Sequence, residues 1–180
     1  MSEALEAVTV NPHNPALPYF ATNELQTADF HRTQEHYVTT VDLPCSPDLL
    51  FDIFEDASAW PRWVPGIGQV RWTSQKPYTD GTTRTVIFWG GMEVYETFTL
   101  WERGRSMSFT FTGITQPIWS EFGELYEIEA IGDQQCRLKW TVAFSFRDHI
   151  AKWTRFVRPF ASLVFWYYMR RLRKYVKQSG

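Results

Sequence analysis

From residue 35 to residue 146 the chain alternates apolar and polar positions with a period of two, broken once by a short stretch of helical period. Residues 135–146 show it best: Cys136, Leu138, Trp140, Val142, Phe144 and Phe146 interleave with Arg137, Lys139, Thr141 and Ser145. That pattern is a strand with one buried and one wet face. The same reading predicts strands over 35–43, 68–74, 82–89, 92–101, 106–113 and 120–131. Turn chemistry separates them: the segment 77–81 (PYTDG), Gly90-Gly91 as a tight hairpin, Arg103-Gly104-Arg105, a loop at Gln116-Pro117, and Gly132-Asp133.

Helical period enters twice. Ser46 is a good N-cap, and Pro47 stands at the first helical position, where its missing N–H costs nothing. Leu49, Leu50, Ile53 and Phe54 then make one apolar face. Asp56 or Ser58 restarts a short second helix carrying Trp60 and Trp63, which Pro65-Gly66 ends. From Asp148 to Lys177 the pattern is helical again, with Pro159 restarting or kinking it and Ala161, Phe165, Tyr168, Leu172 and Val176 on one stripe. The order is strand, two short helices, six strands, long helix. A long amphipathic helix after a meandering sheet must bury its stripe against that sheet, so the class is α+β. Residues 1–34 are polar, contain Pro12, Pro15 and Pro18, and lack periodicity. They are expected to be an extension, ordered at most in part, with residues 17–20 docking on a domain spanning 35–180.

Composition sharpens this in three ways. Aromatic residues are 17% of the chain, which suits a large core or a cavity for flat, apolar ligands. The net charge of −2 argues against a general nucleic-acid partner, but the charge is unevenly spread. Residues 1–60 hold ten acids and one arginine, a net of −9, while residues 147–180 hold nine bases and one acid, a net of +8. Such ends either pair with each other or offer a basic surface to an anionic one. Cys45 and Cys136 fit no metal or redox spacing and read as free buried thiols of a reducing compartment. With no signal-like start and no long apolar run, a soluble, cytoplasmic protein is expected, at most peripheral to a membrane.

This order of elements resembles the START-like superfamily, with its helix-grip fold, and within it the bacterial polyketide cyclase/dehydrase and lipid-transport group. The resemblance covers about residues 35–178. It rests on Ser46-Pro47, Trp60-Pro61-Arg62-Trp63-Val64-Pro65-Gly66, Gly81-Thr82 with Arg84, Glu96, Trp101-Glu102, Arg137-Leu138-Lys139-Trp140-Thr141-Val142 and the terminal helix. It implies a seven-stranded antiparallel sheet curled around the last helix, the two short helices closing one end, and a cavity between sheet and helix. Members bind lipids, sterols, polyketides or hormones, and a minority catalyse cyclisation or dehydration. Fold therefore does not fix function. The extension and the aromatic, basic terminal helix depart from the pattern.

If the apolar face of each strand looks inward, the interior holds Arg84, Val86 and Phe88; Met92, Val94, Glu96, Phe98 and Leu100; Met107, Phe109 and Phe111; and Phe122, Glu124, Tyr126 and Ile128. Glu96 and Glu124 then stand on the apolar side, one strand apart, with Arg84 beside Glu96. A buried carboxylate must be paired or protonated. One reading makes Glu124 a free acid/base or ligand-orienting group, with Glu96 held by Arg84. The other is a structural salt bridge near a cavity mouth, or a one-residue slip that puts both glutamates in water. Trp60, Trp63 and Trp119 suit a gate or plain packing equally. Ser46 is a cap rather than a nucleophile, the four histidines make no metal spacing, and neither metal nor cofactor is expected.

In the terminal helix every residue from Phe160 to Met169 except Ser162 is apolar or aromatic, and Arg170, Arg171, Arg173, Lys174 and Lys177 follow. Trp166, Tyr167, Arg170, Arg171, Arg173 and Lys174 are candidates for transient contact with an anionic membrane. A cavity-lining or dimer face, bases favoured by the helix dipole, or cover by the acidic extension would explain the same residues. The leading expectation is a carrier or sensor that binds a hydrophobic small molecule, lipid or polyketide-like. Its cavity is lined by Phe88, Phe98, Phe109, Phe122, Tyr126, Trp140, Phe165 and Tyr168, with Arg84, Glu96 and Glu124 as sparse polar contacts. The alternatives are an aromatase/cyclase or dehydrase in which Glu124, Tyr126 or Glu96 moves protons, and a protein-interaction module of the co-chaperone type.

Overall fold

The computed structural model describes residues 10–179 apart from Trp153, so residues 1–9 of the expected extension lie outside the described residues. After strand β1 (Phe20–Ala21) and a 3₁₀ turn (Thr27–Arg32) come β2 (Glu35–Leu43), α1 (Pro47–Glu55) and α2 (Trp60–Trp63). Six strands follow: β3 (Ile67–Trp72), β4 (Thr83–Phe88), β5 (Glu93–Glu102), β6 (Ser106–Ile114), β7 (Trp119–Gly132) and β8 (Gln135–Phe146). The chain ends in α3 (Asp148–Ala151) and α4 (Thr154–Ser179). Seven strands form one antiparallel sheet in the order β2-β8-β7-β6-β5-β4-β3, and β1 adds to β6 off this path. This is the helix-grip arrangement, a curled sheet holding the terminal helix.

Local chemistry explains the ends of the elements. The Ser46 hydroxyl accepts from the Leu49 N–H at 3.3 Å, and Pro47 opens α1. α1 and α2 plug one end of the sheet: Phe51, Phe54, Trp60 and Trp63 are buried there. Phe54 meets Tyr126 edge-on at 5.2 Å, and Phe51 meets Trp101 at 5.8 Å. Trp101 differs from the sequence pattern, which places Leu100 inward. An irregularity in the β5–β6 register between Phe98 and Leu100 reverses the alternation and sends Trp101 into the core. The terminal helical segment is also two helices rather than one. Pro159 lies inside α4 and does not end it.

α4 packs on β2 and α2 and buries Ala161, Met169, Leu172 and Val176. Residues 10–34 run along the outer face of the sheet. Asn11 Nδ2 donates to the Tyr95 hydroxyl at 2.8 Å, Tyr19 Oη to Thr112 O at 2.8 Å, and Thr22 Oγ1 to Phe111 O at 2.6 Å. Leu25 and Phe30 bury against Ala143. Two glycines inside strands make room: a Cβ on Gly113 would fall 2.2 Å from the Tyr19 ring, and one on Gly123 would fall 2.9 Å from Phe30.

Candidate functional site

Register places the polar groups of the inner face. Arg84 on β4 is the direct cross-strand partner of Glu96 on β5, so both side chains leave the sheet on the same side. The Arg84 Nε–H donates to Glu96 Oε2, and the two side chains are 2% and 5% exposed. Around the guanidinium stand Trp60 at 4.2 Å, Phe109 at 4.8 Å and Phe98 at 5.1 Å, a cage that leaves Arg84 Nη1 without a partner. Burial raises the Glu96 pKa and the Arg84 charge opposes the rise.

Glu124 has no arginine beside it. It faces Phe109 on β6 and Val142 on β8, and Tyr126 lies two residues on along the same face. The Tyr126 hydroxyl donates to Glu124 Oε2 at 2.5 Å and the Trp140 Nε1–H to the same oxygen at 2.9 Å. Among the described residues Oε1 takes no hydrogen bond. Glu124 is half-buried by area, but its carboxyl is pushed up to about 7. Desolvation is the main cause. The Glu96 charge adds to it, while the bonds from Tyr126 and Trp140 and the Arg84 charge work against it. The carboxyl thus keeps some exposure by area while its charged form is strongly desolvated. The Tyr126 phenol, raised well above its ordinary value by burial and by Glu124, stays protonated and donates.

Aromatic side chains pack around this inner face. Phe122 stacks on Phe111 at 4.1 Å and on Phe144 at 5.7 Å, with Trp119 edge-on to Phe122 at 5.4 Å. α4 contributes Phe165, edge-on to Trp140 at 5.2 Å, and Tyr168, stacked over the same ring at 6.4 Å. Of the residues expected to line a cavity, Phe88, Phe122, Glu124, Phe165 and Tyr168 are half-buried. Arg84, Glu96, Phe98, Phe109, Tyr126 and Trp140 are fully buried. Sequence reasoning left out Phe144, although the period-two alternation of β8 already pointed it inward, and offered Trp119 as a gate or as plain packing; it packs edge-on against Phe122 and Phe111.

The other candidates lie away from Glu124. Trp166, Tyr167, Arg170, Arg173 and Lys174 are exposed on the outer side of α4, and Arg170 lies over the Trp166 ring at 4.7 Å. Arg171 is engaged structurally, donating to Arg62 O at 2.8 Å and Trp63 O at 3.2 Å, where it caps the carbonyl end of α2. Cys45 and Cys136, ninety-one residues apart, are free, buried neighbours with 3.9 Å between their sulfurs.

Comparison with known proteins completes the description. Residues 34–177 match the family model described as polyketide cyclase / dehydrase and lipid transport. An uncharacterized protein from Mycobacterium tuberculosis is 38% identical over 136 residues, covering 76% of this chain and 81% of the relative, and its Mycobacterium bovis counterpart matches equally. Among solved structures, the Zhui aromatase/cyclase from Streptomyces sp. R1128 superposes with a TM-score of 0.65 at 12% identity, over 80% of this chain and 94% of that one. A START superfamily protein from Mycobacterium smegmatis gives 0.62 at 14% identity, over 81% and 99%. At those identities the structural likeness is one of fold.

Proposed function

The chain belongs to the polyketide cyclase/dehydrase and lipid-transport family, with the START-like fold, and on that premise we propose that it binds a hydrophobic small molecule, lipid or polyketide-like, between the sheet and α4. It acts as a carrier or sensor, and the ligand carries at least one carbonyl or hydroxyl oxygen. The observation that carries this reading is Glu124, a half-buried carboxyl among aromatic side chains whose Oε1 takes no hydrogen bond among the described residues. Both protein donors bind Oε2, so when the carboxyl is protonated its proton belongs on Oε1. A pKa of about 7 makes that proton available at neutral pH. Protonated Glu124 donates to a ligand oxygen; ionised Glu124 accepts from a ligand hydroxyl. One versatile polar contact within aromatic walls is the usual design of an apolar binding site.

The same pKa favours a second reading, the aromatase/cyclase or dehydrase kind. A carboxyl poised near neutrality can take a proton from a carbon acid and return it to a leaving or carbonyl oxygen. Tyr126 would then hold the carboxyl in place as a donor.

Both readings are tested by titrating the protein with 2-naphthol, a flat apolar alcohol, and following tryptophan emission. Saturable quenching is expected, with Glu124→Leu weakening binding about ten-fold, the worth of one hydrogen bond to a polar group in an apolar site. Equal binding by Glu124→Leu would remove Glu124 as the anchor. Absence of binding, together with no small molecule retained on native mass spectrometry of protein from its own host, would refute the carrier reading. Turnover of a poly-β-ketone that Glu124→Gln abolishes would favour the enzyme.

A further inference from the structure

α4 has a second apolar face, opposite the one it buries. Phe156, Phe160, Leu163 and Tyr167 follow one another at spacings of four, three and four residues, flanked by Val164 and Trp166, and all six are exposed. Phe160 and Leu163 are more than 60% exposed. Along the helix the same stripe turns cationic through Arg170, Lys174 and Lys177, with Arg173 alongside. α4 contains no acidic residue. Among the described residues none of these four bases is ion-paired; Asp42, which Arg137 already holds, also feels the Arg173 charge. A groove of about 1050 Å³ between α4 and β2 is lined by Trp166, Tyr167, Arg170, Arg173 and Lys177.

We propose that this face of α4 docks on an anionic lipid bilayer. The helix lies inclined to the surface. Its first half, Phe156 to Val164, enters the acyl boundary, Trp166 and Tyr167 sit at headgroup level, and the four bases meet the phosphates. Charge complementarity selects this occupant. A second copy of the chain would lay bases against bases with no acid on either helix to answer them. A soluble polyanion would leave the apolar half in water. The helix cannot cross the membrane, since no helix among the described residues is long and apolar enough, so contact is interfacial and reversible.

The test is flotation of the full chain with vesicles of phosphatidylcholine alone and of phosphatidylcholine with about a quarter phosphatidylglycerol. Binding to the anionic vesicles, weakened by salt, is expected. The variant R170A/R173A/K174A/K177A, which spares Arg171 and its cap on α2, is expected to lose more than about a hundred-fold, at about five-fold per base. Leu163→Ser with Trp166→Ser is expected to lose about ten-fold on the same vesicles while unfolding at the same denaturant concentration as the parent. No binding to anionic vesicles, or equal binding by the four-base variant, would overturn the proposal, and so would a concentration-dependent dimer that buries Trp166. The readout is independent of the ligand site, so Glu124→Gln should float like the parent whatever becomes of the binding proposal.

Discussion

Two carboxyls face the same interior one strand apart, and their neighbourhoods could hardly differ more. Glu96 is locked to Arg84 inside a ring of tryptophan and phenylalanine, beneath α1 and α2. Glu124 is ion-paired to no cation among the described residues and shares one oxygen between a phenol and an indole, while the other takes no hydrogen bond. The difference comes from register. The residue across from Glu96 is an arginine, whereas those across from Glu124 are Phe109 and Val142. Pairing keeps one carboxyl as part of the fold, and lack of pairing leaves the other close to neutrality, where proton exchange is easy. Burial alone does not set how a carboxyl ionises; the cross-strand neighbour decides.

Breaking the pair should have the largest effect. Arg84→Met strands a buried carboxylate and is expected to cost about 3–5 kcal/mol in urea denaturation at neutral pH. The double variant R84M/E96L should recover most of that loss. If Arg84→Met alone were nearly neutral, the pair would not be the structural half of the contrast.

The next effect belongs to Glu124. Its folded-state pKa of about 7 stands above its ordinary value, so its contribution to stability is complete below about pH 4.5. That contribution is lost as pH rises through 7, by about 3 kcal/mol in all. Glu124→Gln should therefore gain stability relative to the parent as pH is raised from 5 to 8. A constant difference between the two proteins across that range would contradict the assignment. Smallest is Tyr126→Phe, which removes one donor that stabilises the ionised form. It should shift the midpoint of the same pH profile upward and cost about 1 kcal/mol.

Much of this contrast was legible in the sequence. Strict alternation on β4, β5 and β7 put Arg84, Glu96 and Glu124 on the inner face, and Ser46-Pro47 announced α1, because side-chain period and capping are local properties. What resisted reading depends on contacts distant in sequence. The irregularity beside Thr99 swaps Leu100 for Trp101, and two apolar neighbours give no hint of which turns inward. The course of residues 10–34 over the sheet left a trace only in Gly113 and Gly123, strand glycines whose missing side chains admit Tyr19 and Phe30. The outer face of α4 shows apolar in the sequence, but its exposure emerges only once Ala161, Met169 and Leu172 are seen to occupy the sheet side. That one oxygen of Glu124 takes both donors while the other takes none is a matter of rotamers, beyond any pattern of residue types.

The most direct measurement is a carbon-13 NMR titration of the glutamate side-chain carboxyls, with Glu124 assigned by its absence in Glu124→Gln. The expected result is a midpoint near 7 for Glu124, displaced when 2-naphthol binds. A Glu124 that ionises near 4.5, like a carboxyl in water, and ignores the added alcohol would contradict the account.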